Sequence, residues 1–310
     1  MFEIFLKTLP FFALIGVGYG AGRTQFFTAE ATAYLTKFVF YFALSAMLFR
    51  FSANMSLAEV FDLSFVMAYL SGTLSVYLLA TFIAVMRRRG IAEAAVEAQC
   101  AAIGNVGFLG VPMLVLLLGE AAIGPVMLVL AVDLIVFGSL IVILITGSRD
   151  GGMRLGVLKT VAVGLTKNPM IVAISLGLVW SGLSIPMPAP LNEFVTLLGA
   201  AATPGALFAI GASLATKSAE RLQIAVWLSV CKLVLHPAAV AVAALWLFEV
   251  DPYAASVMIA SAALPVAGNV FILAQHYGVA PQRVSATILI STAASVLSVS
   301  MVIAWVSTLG

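Results

Sequence analysis

The sequence predicts an all-α polytopic membrane protein: ten transmembrane helices in two inverted five-helix repeats, with the fourth and ninth helices broken. Three observations carry this. Of 310 residues, 63% are hydrophobic and only 9% charged, against about 45–50% and about 25% in soluble domains. Apolar stretches close to the ~20 residues needed to span a bilayer recur along the whole chain. The tripeptide Gly-Asn-Val also occurs twice, at Gly104-Asn105-Val106 and Gly268-Asn269-Val270, each time within an apolar stretch that holds a proline nearby.

Taken in order, the first span runs from Ile4 to Gly22, the second from Ala29 to Phe51 and the third from Ser64 to Met86. The N-terminal residues lack a small-residue cleavage site and read as the start of the first span. The fourth, Glu93 to Leu118, is apolar but interrupted by Gly104, Asn105, Gly107, Gly110 and Pro112. Glycine costs a helix about 1 kcal/mol and proline about 3 kcal/mol, and a plain anchor gains nothing from either. Non-helical backbone at membrane depth survives only against protein or a watery cavity.

The fifth span covers Ala121 to Gly147, and a polar link with Arg149, Asp150, Gly151, Gly152, Arg154 and Lys159 follows. The sixth runs from Val161 to Leu183, the seventh from Pro190 to Ala215 and the eighth from Leu222 to Phe248. The ninth, Pro252 to Tyr277, is interrupted at Pro265 and Gly268, and the tenth covers Pro281 to Leu309. The link divides the chain into a first repeat, residues 1–150, and a second, residues 151–310.

Basic residues set the orientation. Arg23, Arg87, Arg88, Arg89, Arg149, Arg154, Lys159, Lys167, Lys217, Arg221 and Arg283 fall on one face, and Lys7 and Arg50 on the other. The positive-inside rule then places both termini outside the cytoplasm, as an even number of spans requires. The run Arg87-Arg88-Arg89 reads first as a topology signal and second as a contact for anionic lipid. The net charge of +2 supplies no nucleic-acid footprint. Cys100 and Cys231 lie in apolar stretches and read as small buried hydrophobes.

Leu44 to Phe49 aligns with Thr203 to Phe208 at an offset of 159, and the two Gly-Asn-Val trios align at 164. A duplicated unit of five spans must enter the membrane from opposite sides, which makes the repeat inverted. Paired interrupted helices in such repeats point to a binding site at the midplane.

The pattern N-V-G-F-L-G-V-P, then N-P-M-I-V-A-I-S-L-G-L, A-T-P-G-A-L-F-A-I-G-A-S-L and L-P-V-A-G-N-V-F-I-L-A resembles the auxin efflux carrier family. That family includes the plant PIN auxin exporters and bacterial carriers often labelled malonate transporters. The resemblance covers essentially the whole chain and implies a bacterial-type member in the inner membrane. It further implies a scaffold of spans one, two, six and seven, and a mobile transport unit of spans three to five and eight to ten, whose broken helices cross. It leaves room for a homodimer through the scaffold spans. Two departures stand out. Ser45 occupies a position in the second span where relatives often carry proline, whereas Pro204 is kept in the seventh. The third span also lacks the acidic residue that the PIN exporters carry there.

Asn105 and Asn269 are the first candidates for substrate contact, with Gly104, Gly107, Gly268, Val106 and Val270 around them. Their amides and the freed N–H groups of restarting helices suit a carboxylate without an arginine. The competing reading is that each asparagine repairs its own broken helix, though a paired occurrence is poorly explained by two local repairs. Pro112 and Pro265 read as shaping the crossing. Lys232, about ten residues into the eighth span, would cost roughly 2.5–3.5 kcal/mol near the bilayer centre. Asp133 in the fifth span is its natural counter-charge. The pair reads as ion-coupling or charge support, against snorkelling for Lys232 and a structural helix contact for Asp133. His236 reads as a structural histidine beside Pro237, His276 as a loop residue, and Gln99 and Gln275 as polar groups flanking the breaks.

These features point to a secondary carrier of a small organic anion. By resemblance, malonate or a related dicarboxylate comes first and an indole-3-acetate-like monocarboxylate second, moved by elevator-type alternating access. A phosphate-binding G-x-x-x-x-G-K-[ST] loop is missing, so the energy is expected from a gradient or an external partner. Neither a cofactor nor a metal is expected. The alternatives are a sodium-coupled symporter of the bile-acid type and a membrane sensor that binds without transporting. An enzyme is disfavoured, since H-E-x-x-H and G-x-S-x-G are both missing.

Overall fold

A computed structural model describes residues 2–54, 62–149, 155–215 and 222–309. The regular structure there is helical, apart from one isolated antiparallel bridge between Gly104 and Val266. The helices are α1 (Phe2–Arg23), α2 (Ala29–Ala53), α3 (Leu63–Met86), α4 (Ile91–Ala102), α5 (Val106–Leu118), α6 (Glu120–Ser148) and α7 (Leu155–Lys167). They continue with α8 (Pro169–Gly182), α9 (Ala189–Ala215), α10 (Leu222–Leu247), α11 (Pro252–Ala262), α12 (Gly268–Tyr277) and α13 (Pro281–Val306). Among the described residues, α1, α2, α3, α6, α9, α10 and α13 are long and apolar enough to cross a membrane. Helices α7 and α8, bent by 72° at Asn168, make an eighth crossing if counted together. The protein is therefore a multi-pass, all-helical membrane protein. The expected fourth and ninth spans are each two short helices, α4 with α5 and α11 with α12. The boundary between the halves at residues 150–151, and the topology signals Arg154, Lys217 and Arg221, lie outside the described residues.

Local chemistry explains where helices begin. The Thr28 side chain accepts from the Ala31 amide at 3.2 Å at the start of α2, and Asp62 accepts from Ser64 at 2.8 Å at the start of α3. Asn168 caps α8 by accepting from the Met170 amide at 3.0 Å, with Pro169 in the first turn, where its missing N–H costs nothing. Asp251 does the same for α11 through the Ala254 amide at 3.0 Å, ahead of Pro252. Within α2, a π turn spans Val39–Ala43, and the Ser45 hydroxyl donates to the Phe40 carbonyl at 3.1 Å. Ser45 thus finds a loosened turn to bond.

Helix α1 lies against α9, and α2 lies against α8 and α9. The α1–α9 approach is backbone on backbone: a Cβ on Gly211 would overlap the Ile15 carbonyl, and one on Gly18 would overlap that of Phe208. Small residues let membrane helices approach this closely. A second group joins α3 to α4 and α10, α10 to α13, and α11 to α6. The two groups touch where Thr8 Oγ1 of α1 and Ser300 Oγ of α13 lie 2.9 Å apart. Leu78, Phe82, Leu197 and Trp246 are exposed on the outside, whereas Glu97, Asp133, Lys232, His236 and Arg283 are buried. This inside-out polarity suits a lipid solvent, in which charges must find partners within the bundle.

Candidate functional site

Four helix ends meet where the chain carries its glycines and asparagines. Helix α4 stops at Ala102 and α11 at Ala262, and the segments beyond them meet at an antiparallel bridge between Gly104 and Val266. The Asn105 amide donates to the Pro265 carbonyl at 2.8 Å, and the Ala267 amide donates to the Ile103 carbonyl at 3.2 Å. The Val266 amide donates to Ser291 Oγ of α13 at 3.2 Å. Backbone groups that a helix would have paired internally are thus paired across the two breaks, as burial demands. Helix α5 restarts at Val106 through a π turn, Val106–Gly110, and α12 restarts at Gly268. The first N–H groups of each restarted helix have no partner within that helix.

A cavity of about 60 Å³ opens on one side of this seam, lined by Gly104, Asn105, Gly107, Gly268, Asn269 and Asp133 among others. A second cavity, of about 120 Å³ and mostly apolar, shares Asn105, Phe108, Gly268 and Asn269 with the first. The two chambers therefore adjoin the same seam residues. Of the sequence-predicted residues, Gly104, Asn105, Gly107, Gly268, Asn269 and Asp133 come together here. Val106 and Val270 are buried and are not among the residues lining these two chambers. Pro265 contributes its carbonyl to the seam, and Pro112 sits in the first turn of the α-helical part of α5. Gln99 is buried with its Oε1 unpartnered, whereas Gln275 and His276 are exposed near the end of α12.

Lys232 is fully buried and does not snorkel. Its Nζ donates to the Ala262 carbonyl at 2.5 Å, at the C-terminal end of α11, and lies 2.9 Å from His236 Nδ1. A cation there is opposed to the partial negative charge of the helix end. With Nδ1 accepting from the ammonium, the imidazole is neutral and its Nε2–H donates to Thr73 Oγ1 at 3.0 Å. The ammonium sits directly behind the seam: a Cβ on Gly104 would lie 3.2 Å from Nζ and 3.3 Å from the Ser261 carbonyl. A side chain there would press on the end of the lysine. Asp133 begins a π turn in α6, and its Oδ1 accepts from Tyr69 at 2.8 Å, while Oδ2 is buried without a partner. Lys232 and Asp133 form no ion pair among the described residues.

Several residues here escaped the sequence reading. Tyr69 and Thr73, one turn apart on α3, serve Asp133 and His236, but single hydroxyls in apolar spans are too common to stand out. Asn168 and Phe40 line the smaller chamber, and Phe40 stacks on Phe108 with ring centroids 6.2 Å apart. The N-P pair at Asn168-Pro169 was a readable signal for a helix start. Arg283, read from the sequence as a topology signal, is buried in the first turn of α13 and bonds Glu97 at 2.5 Å and Glu93 at 3.2 Å. Arg87 pairs with the same Glu97.

The family described as membrane transport protein matches residues 3–303. The chain is also 33% identical, over 306 residues, to a protein of Rhizobium meliloti (strain 1021) described as "Putative malonate transporter". That alignment covers 97% of this chain and 95% of the relative.

Proposed function

The chain belongs to the membrane transport protein family, a family of transporters and not of enzymes, and from that premise we propose that it is a secondary carrier of a small organic anion. Malonate is the first substrate to try, given what the Rhizobium relative is named for. We propose further that the chain is two inverted five-span repeats, residues 1–150 and 151–310, in a bacterial inner membrane with both termini outside the cytoplasm. In this reading α1, α2, α7, α8 and α9 form the scaffold, and α3 to α6 with α10 to α13 move across it as an elevator.

The observation that carries the reading is the paired seam, Asn105 to Pro265 and Ala267 to Ile103, with two chambers lined by its residues. Restarted helices present N–H groups at such a break, and these attract a carboxylate. Asn105 and Asn269 add side-chain amides at the same point. The Lys232 ammonium, behind Gly104, supports the seam with a fixed positive charge.

Uptake of radiolabelled malonate into proteoliposomes, with proton, sodium and voltage gradients imposed separately, tests the reading. Gradient-driven accumulation that Asn105→Ala and Asn269→Ala abolish is the expected result. Binding without uptake would make the protein a sensor, and strict sodium dependence would make it a sodium symporter.

A further inference from the structure

The smaller chamber has an unusual chemical balance for an anion site. Its most constrained polar atom is Asp133 Oδ2, in a residue 5% exposed, with no hydrogen-bond partner. Asn269 Oδ1, also unpartnered, lies on the same chamber. An asparagine amide can turn to present either its N–H or its oxygen. An ionised carboxylate has no such choice and only accepts.

No lysine, arginine or histidine lines either chamber among the described residues. Around Asp133, Tyr69 of α3 already donates to Oδ1, and the Lys232 ammonium of α10 donates to the Ala262 carbonyl and to His236 Nδ1. Asn168 at the start of α8 has its Oδ1 engaged by the Met170 amide. Nothing described therefore offers Oδ2 a donor, and a buried acceptor without one costs about 1–3 kcal/mol. The partner must arrive with the ligand.

We infer that the site selects a monoanion carrying one ionised carboxylate and one hydrogen-bond donor, the donor bonding Asp133 Oδ2 and the carboxylate lying at the start of α12 and the asparagine amides. For a dicarboxylate this is the half-protonated acid. The fully ionised form would set a second carboxylate against Asp133 with no cation between them, which like charges at short range forbid. The substrate brings its own proton, and proton and anion cross together. This inference rests on the carboxylate-carrier reading above and narrows it to one ionisation state.

The test is binding to the purified full-length protein, by calorimetry, of three probes at about pH 5.5 and about pH 8, on either side of the second ionisation of a small dicarboxylic acid. Malonate affinity should fall by about tenfold per pH unit above that ionisation, because only the monoanion binds. Malonamate, with one carboxylate and an amide N–H that does not titrate, should bind equally at both values. Monomethyl malonate, with one carboxylate and no donor, should bind at least about tenfold more weakly than malonamate. In the Asp133→Asn variant, whose amide can itself donate, malonate binding should lose its pH dependence.

Malonate affinity that does not change with pH, or monomethyl malonate binding as well as malonamate, overturns the inference and leaves the carrier reading intact. An affinity for malonamate that rises at low pH also overturns it, by placing the proton on Asp133. A sodium requirement for all three probes overturns it in favour of a bound cation at Oδ2. If none of the probes binds, the inference and the carboxylate reading fall together. The three-probe series needs only the parent protein, so a poorly folding variant does not blunt it.

Discussion

The Asn105 amide and the Pro265 carbonyl, 160 residues apart in the chain, are joined by a 2.8 Å hydrogen bond at the point where two helices have each lost their own ladder. Each break satisfies the other. The candidate site is thus a product of pairing, and neither half could build it alone.

Asn105→Ala and Asn269→Ala remove side-chain amides and leave the backbone seam untouched. Each should weaken substrate binding by about tenfold to a hundredfold, the worth of one hydrogen bond to a charged group. Expression and thermal stability should stay near the parent's. Calorimetric binding alongside a melting curve in detergent checks both halves of the statement, and parent-like binding in both variants would discard the site.

Lys232→Met keeps much of the side-chain length but withdraws the donor from Ala262 and His236. Leaving the Ala262 carbonyl and His236 Nδ1 without their donor should destabilise the protein by about 1–3 kcal/mol. The melting temperature should fall clearly. A variant as stable as the parent would mean that the ammonium contributes nothing to holding the end of α11.

Glu97 is 1% exposed and bonded by both Arg87 and Arg283, whereas the Glu93 side chain is 38% exposed. Glu97→Gln should therefore cost about 3–5 kcal/mol, and Glu93→Gln no more than about 1 kcal/mol. Thermal melts of the two variants side by side give the comparison, and equal losses would refute the burial argument.

Gly211→Val drives a branched side chain into the Ile15 backbone and must separate α1 from α9. Overpacking of this kind costs at least about 1–3 kcal/mol. Gly16→Ala, on the same helix pair but with open space at its Cβ, should be neutral. Melting temperatures of the two proteins decide whether close backbone approach, or glycine in general, matters there.

Much of this was legible in the sequence because membrane burial imposes a coarse, length-based pattern. The long apolar runs map onto α1, α2, α3, α6, α9, α10 and α13, and the glycine, asparagine and proline interruptions mark the breaks between α4 and α5 and between α11 and α12. Asn105, Asn269 and Asp133 were picked out because polar groups are scarce in such stretches. What stayed hidden was partner choice. Lys232 bonds a backbone carbonyl and a histidine instead of Asp133, since the end of α11 is a source of negative charge that no residue letter records. Arg283 and Glu97 look like ordinary helix-end charges until α4 and α13 are brought together.

The two hydrogen bonds that close the seam are made by main-chain atoms alone. Such a joint is blind to the identity of the side chains around it. Phe40, Phe108, Asn168 and Met170 could all be exchanged for other residues without unfastening it. Architecture and selectivity are therefore written in different parts of the molecule, and a lineage can re-tailor its cargo while keeping the same frame.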